Sequence, residues 1–311
     1  RFQYLLWLAE GYLLDEPSRQ QYVDTFASIV EDWIDSNPTG YGVNWIVSME
    51  VAIRGINLTL ATSVFATALK PELLRKVTFL LHDHRVYLSR FPELSDINGN
   101  HYLSNLMGEF VLEAALNAGD SRAVKSALEN FYVEADAQFD PLGGHLERAP
   151  MYHRLCVDML LIVQAFAAGQ GLSTELGRNV LSRSSKFLIT LAHQKRLLPV
   201  MSDNDSGHVI WFGEDARDCR TTLAIANLLL ENPEQTGYQN SDFIWHEAIS
   251  GLSRLRSPEA VPSPNPISVL EVDGFLVGHS RLATCVMRVG ELGLKGRASH
   301  DHDDGLSIWL F

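Results

Sequence analysis

The chain has 311 residues, 46% of them apolar and 20% charged, with a formal net charge of −13. That length exceeds the size at which one core usually keeps growing, so one large domain plus part of another is expected. Scattered Lys and Arg in an acidic chain exclude a nucleic-acid binder, which needs a basic stripe, and no uncharged apolar run approaches the roughly 18–20 residues of a membrane span.

From Phe2 to about Arg256 the apolar periodicity is helical, in pairs of segments joined by short breaks. Thr25 to Ile34 predicts an amphipathic helix that ends before Pro38, which forces Asn37 out of the helical region. Asn44 to Leu69 is apolar on most sides, as in a helix packed within a bundle. Helices are then predicted at Pro71–Leu88, His101–Ala118, Ser121–Phe139, Met151–Ala168, Ser173–His193, Arg220–Glu231 and Phe243–Leu255. Many such helices without a strict repeat point to an α/α toroid or irregular helical barrel.

Four prolines within Ser257–Pro266 cannot continue a helix. Short β-branched runs follow at Ile267–Val272, Phe275–Gly278, Thr284–Val289 and Ser307–Phe311, which predict antiparallel strands. The expected architecture is mainly α: an α/α toroid over 1–256, a proline-rich linker over 257–266, and the start of an antiparallel β-sandwich domain over 267–311. The chain begins at Arg1 rather than Met and stops inside the apolar run Leu306–Phe311, so a longer protein whose leader is already gone is expected. Cys156, Cys219 and Cys285 lie more than sixty residues apart, with neither metal-ligand spacing nor the even number of a closed disulfide framework.

Five polar constellations interrupt the apolar pattern. On the helix opening at Asn100, residues Asn100, His101, Ser104, Asn105 and Gly108 share one side, opposite Leu103, Leu106, Met107 and Phe110. They read either as a cap with a solvated face or as a polar stripe at a cleft, where an imidazole removes a proton and an amide meets a carboxylate. Gly143-Gly144-His145-Leu146-Glu147-Arg148-Ala149-Pro150 forms a loop ending at a helix start, with Tyr152 in the first turn and Arg148, His153 and Arg154 adding positive charge. Local pairing of Arg with Glu is the plainer explanation, and a binding loop the sharper one.

Ser202 to His208 resembles a cation-binding turn but lacks the EF-hand spacing, so turn-forming Asp and Asn chemistry explains it better. Ser299-His300-Asp301-His302-Asp303-Asp304-Gly305 places two histidines at i and i+2 beside carboxylates, half of a metal or catalytic site. Glu50, Arg54 and Asn57 form a polar line on an apolar helix, either an i, i+4 pair or an anion contact through Arg54.

Taken together, Trp45–Asn57, Asn100–Gly108, Asp140–Asp158, Asp203–Gly207 and Ser299–Ser307 resemble, in order, the heparinase II/III family of polysaccharide lyases and its alginate-lyase relatives. The resemblance implies an α/α toroid followed by a β-sandwich, acting by β-elimination on a uronic-acid-containing, anionic polysaccharide in the periplasm or outside the cell. It implies that Asn100 holds the uronate carboxylate, with His101 beside it as base or donor. Tyr152 would be the acid, and for one substrate stereochemistry also the base, with His300 completing the catalytic set. Arg54, Glu147, Arg148, His153 and Asn105 would contact substrate. His302 would be the first ligand of a structural zinc, and no organic cofactor is implied.

A net charge of −13 opposes a polyanion, so a lightly charged polymer such as alginate or a bacterial exopolysaccharide fits better than a highly sulfated one. Two alternatives compete: a metal-dependent hydrolase built on His300, His302, Asp303 and Asp304, and a non-catalytic polysaccharide-binding relative. An inverting hydrolase would need two carboxylates roughly 6.5–9.5 Å apart, and no acidic pair in the motif segments suggests that.

Overall fold

Helix starts and stops follow local chemistry. In the computed structural model, which describes residues 1–117, 122–193, 196–204, 206–231, 241–252, 268–272, 274–280, 283–302 and 305–311, the helices are α1 (Tyr4–Leu14), α2 (Arg19–Ser36), α3 (Ser48–Phe65), α4 (Pro71–Arg90), α5 (Asn100–Leu116), α6 (Arg122–Gln138), α7 (Pro150–Gly169), α8 (Glu175–Leu191), α9 (Arg220–Leu229) and α10 (Ser241–Ser250). Pro71 and Pro150 open α4 and α7, where the missing N–H is harmless and φ is already helical. Asn37, before Pro38, has left the helical region at φ −130° and ends α2.

The chain condenses into two compact units, residues 1–95 with 104–129, and residues 96–103 with 130–311. In the first, α1 packs on α2 and α3, and α3 on α4. Every residue of α3 from Val51 to Leu58 is buried, which is why this sequence shows no broad polar face. Gly108 lets α5 approach closely: a Cβ there would lie 2.7 Å from both Ala52 Cβ and Leu88 Cδ1.

In the second unit α7 packs on α8, α9 and α10. By length and composition α7 could cross a membrane, but 83% of its apolar stretch is buried inside the protein. It also carries the Arg154–Asp158 ion pair at 2.6 Å, so here it serves as a core helix. Strands β1 (Ser268–Val272), β2 (Phe275–His279), β3 (Thr284–Arg288) and β4 (Ile308–Leu310) form one antiparallel sheet in that order. Phe275, Val277 and Val286 point inward and share a core with Phe187, Leu188 and Leu191 of α8 and with Cys219 and Leu223.

The expected sequence of helices and then antiparallel strands is the one observed. The compact units, however, divide within the helical region rather than near residue 256, and the sheet belongs to the same unit as α7–α9. The linker expected at 257–266 lies outside the described residues.

Candidate active site

Within the second unit, the turn after α6 sets the first part of the site. Gly143 adopts φ +98°, and a Cβ there would stand 2.1 Å from the Arg183 carbonyl oxygen, so only glycine fits. The chain doubles back: Leu146 N–H donates to Gln138 O at 2.9 Å, and Asp140 N–H to Gly144 O at 2.8 Å. The return brings Glu147 to the N-terminus of α5. Its carboxylate accepts the Asn100 backbone N–H at 2.8 Å, and Asn100 Nδ2 donates to both oxygens at 2.9 Å. A carboxylate at a helix N-terminus satisfies an orphan donor and meets the favourable end of the dipole.

Glu147 is only 2% exposed. Burial raises its pKa, opposed by the Asn100 hydrogen bonds and by the charges of His300 and His101. Asn100 is buried too, and its Oδ1 has no hydrogen-bond partner.

Tyr152, in the first turn of α7, stacks on His300 with ring centroids 3.6 Å apart and planes 11° from parallel. His300 is held by Asp203: its Nδ1 lies 2.9 Å from Oδ2, and Asp203 N–H donates to His300 O at 2.7 Å. A carboxylate on Nδ1 selects the tautomer that leaves Nε2 as proton acceptor. The hydrogen bond from His300 in turn holds the Asp203 carboxyl below its usual range. His302 contacts the other oxygen of the same carboxylate.

Two buried pairs fix the segments that carry these groups. Arg154, fully buried on α7, binds Asp158 at 2.6 Å, His208 Nδ1 at 2.8 Å and the Gly207 carbonyl, tying α7 to the loop that bears Asp203. Asp158 also accepts Thr222 Oγ1 at 3.0 Å. Arg288 of β3 donates to Gly274 O at 2.7 Å and pairs with Asp301 at 3.5 Å, anchoring the segment that presents His300. Arg154 was expected as positive charge beside Tyr152 and Asp203 as part of a turn, whereas Asp158 carried no sequence signal beyond membership in the ordered motif segments.

Asn100 and Glu147 meet directly, Tyr152 stacks on His300, and the charges of His101 and His300 reach Glu147. His101 is exposed, while Tyr152 and His300 are half-buried. Other expected contacts have different surroundings. Glu147 is occupied by Asn100, so its carboxylate faces the helix end rather than solvent. His153 is 1% exposed, packs on Phe139 and Phe187, and places Nε2 3.0 Å from Ser184 O. Burial lowers its pKa to about 3, which makes it a neutral core histidine. Arg148 pairs with Asp140.

Arg54 and Asn105 belong to the first unit. Arg54, 3% exposed, lies over the Trp33 and Trp45 rings at 4.8 and 5.0 Å and donates to His84 at 2.9 Å. Asn105 is buried and accepts the Glu93 N–H at 3.2 Å. Asp205, Asp303 and Asp304 lie outside the described residues. Among the described residues no group of three or more His, Cys, Asp or Glu could hold a metal ion. No chemical step is routed through the zinc that the family resemblance implies at His302.

The second unit thus sets a stacked Tyr–His pair and a buried amide on a helical array followed by an antiparallel sheet. The model of the heparinase II/III N-terminus matches residues 1–213, and the chain belongs to the heparinase II/III family. Its structure is similar to that of heparinase III, with a TM-score of 0.67 and 16% identity over 99% of this chain and 48% of that one. It is also similar to a mutant of the heparan sulfate lyase HepC from Pedobacter heparinus, with a TM-score of 0.60 and 17% identity over 99% of this chain and 46% of that one. At these identities the likeness establishes the fold, an α/α toroid followed by an antiparallel sheet. The chain spans about half the length of the structures it matches. No curated protein matches it significantly by sequence.

Proposed function

We propose that this chain carries the acid–base site of a polysaccharide lyase acting on a uronic-acid-containing polymer by β-elimination. The observation that carries the reading is the stacking of Tyr152 on His300 at 3.6 Å, with His300 held by Asp203. Family membership supports it, as does similarity to a protein described as a heparan sulfate lyase.

The chemistry follows from the acidity of the substrate. The proton on C5 of a uronate is weakly acidic, and its removal places negative charge on the adjoining carboxylate, which a polar donor must stabilise. His300 Nε2, or the Tyr152 phenolate for the opposite stereochemistry, takes that proton. The C4–O bond breaks, a C4–C5 double bond forms, and the Tyr152 hydroxyl protonates the departing glycosidic oxygen. Asn100 meets the carboxylate, with exposed His101 beside it.

The net charge of −13 repels polyanions, so the proposed substrate is an unsulfated or lightly sulfated uronate. The test is a panel of alginate, heparan sulfate and heparin, followed by the ultraviolet absorbance of the unsaturated uronate. Product from alginate or low-sulfate heparan sulfate in preference to heparin is expected. Saturated reducing ends released without unsaturated product would overturn the reading in favour of hydrolysis.

A further inference from the structure

The contact between Glu147 and Asn100 raises a question of polarity. Glu147 accepts three hydrogen bonds from Asn100, one from the backbone N–H at 2.8 Å and one from Nδ2 to each oxygen at 2.9 Å. The carboxylate is pinned against this peptide, because a Cβ on Gly99 would lie 2.1 Å from Oε1. In this arrangement the amide's donors are occupied, while its Oδ1 is buried and accepts nothing. An acceptor is the wrong polarity for a uronate carboxylate, and a buried unpaired carbonyl is unfavourable in itself.

We infer that Glu147 is a positioning residue that decides which atom of the Asn100 amide is free for substrate. Ionised, Glu147 binds Nδ2 and leaves Oδ1. Protonated, its O–H donates to Oδ1 while the other oxygen keeps the backbone N–H, and the amide turns over to free Nδ2 for the carboxylate. Only a half-turn about the Asn100 Cβ–Cγ bond is needed, a soft two-fold torsion.

Burial favours the protonated form of Glu147, against its polar neighbours. Burial raises its pKa, although the Asn100 bonds and the charges of His300 and His101 oppose this. His145 Nδ1 stands 4.0 Å from Oε2, and burial holds that imidazole neutral. Burial and the charge of Glu147 push the Cys156 thiol of α7 upward, so it stays uncharged. Arg148, next in the chain, pairs with Asp140, and Asp301, beyond Gly293, is taken by the Gly293 N–H and Arg288.

The inference rests on the lyase reading for what the amide does, but not for the amide turn itself. Glu147→Gln copies the protonated state, with Oε1 accepting the Asn100 N–H and Nε2 donating to Oδ1. Measured on the uronate polymer that the parent cleaves, E147A should lose about 10²-fold in kcat, and E147Q should restore most of that loss. The fall in kcat that accompanies Glu147 ionisation in the parent should be absent from E147Q. A folded E147Q as inactive as folded E147A, or a pH profile of kcat in E147Q identical to the parent's, overturns the inference. If E147A fails to fold, the comparison of the pH profiles of kcat between E147Q and the parent decides.

If the parent makes no unsaturated product from any uronate polymer, the lyase reading fails on its own. The amide turn is then read from the Asn100 side-chain N–H resonances, assigned by comparison with Asn100→Asp. These should titrate in the parent and stay constant in E147Q. No titration in the parent, or the same titration in both, overturns the inference.

Discussion

At the scale of single residues, reactivity follows from what each polar group touches. Tyr152 and His300 are half-buried and in ring contact, and Asp203 holds only one nitrogen of His300. Tyr152→Phe keeps the stack and removes the proton. It should lower kcat roughly 10²–10⁴-fold with little change in melting temperature, whereas an equal loss of stability would mark Tyr152 as structural. His84 and His153 behave in the opposite way. Burial lowers both from 6.5 to about 3, so each is neutral when folded and takes a proton when unfolded below about pH 6.5. Stability should therefore fall as pH drops through this window, by about 1.4 kcal/mol per pH unit for each histidine. The urea midpoint against pH measures this, and His153→Gln should reduce the slope; an unchanged slope would contradict the assignment. The sequence placed Glu147 and His153 beside a glycine-rich loop and so among substrate contacts. Their actual partners, Asn100 and the Ser184 carbonyl, come from distant segments that no local pattern reveals.

At the scale of elements, helix boundaries and strand order were legible because they depend on local signals: Pro71 and Pro150 at first turns, Pro38 as a stop, and alternation in β2 and β3. The tight turn at Gly143 was legible as a loop but not as a demand for glycine. That demand arises from the Arg183 carbonyl, which α8 delivers from elsewhere in the chain. Gly171 also has positive φ, at +67°, but its Cβ would meet nothing within 4 Å. Gly171→Ala should therefore cost about 1–2 kcal/mol for the left-handed backbone alone, and Gly143→Ala distinctly more. Equal shifts in thermal unfolding would show that the Arg183 contact is immaterial. Because Gly143 shapes the return that carries Glu147, G143A should also reduce kcat, while G171A should not.

At the scale of the whole molecule, the proline-rich break invited a division into a helical domain and a β-domain, because composition changes abruptly there. Packing follows a different boundary. Phe275 of β2 meets Phe187 of α8 at 6.0 Å, and the sheet's buried face completes the core of α7–α9. Composition along a chain cannot show that two dissimilar segments share one core. Phe275→Ala should destabilise the second unit by about 3–5 kcal/mol. Helical ellipticity and Trp309 fluorescence should then melt earlier together, whereas a shift in the strand signal alone would show an independent β-domain.

The central claim, that the Tyr152–His300 site eliminates rather than hydrolyses, is tested most directly by product mass after cleavage in heavy-oxygen water. Elimination adds no water, so the account predicts unsaturated fragments free of heavy oxygen, formed by the parent and lost in both Tyr152→Phe and His300→Ala. Saturated fragments carrying heavy oxygen at the new ends would contradict it.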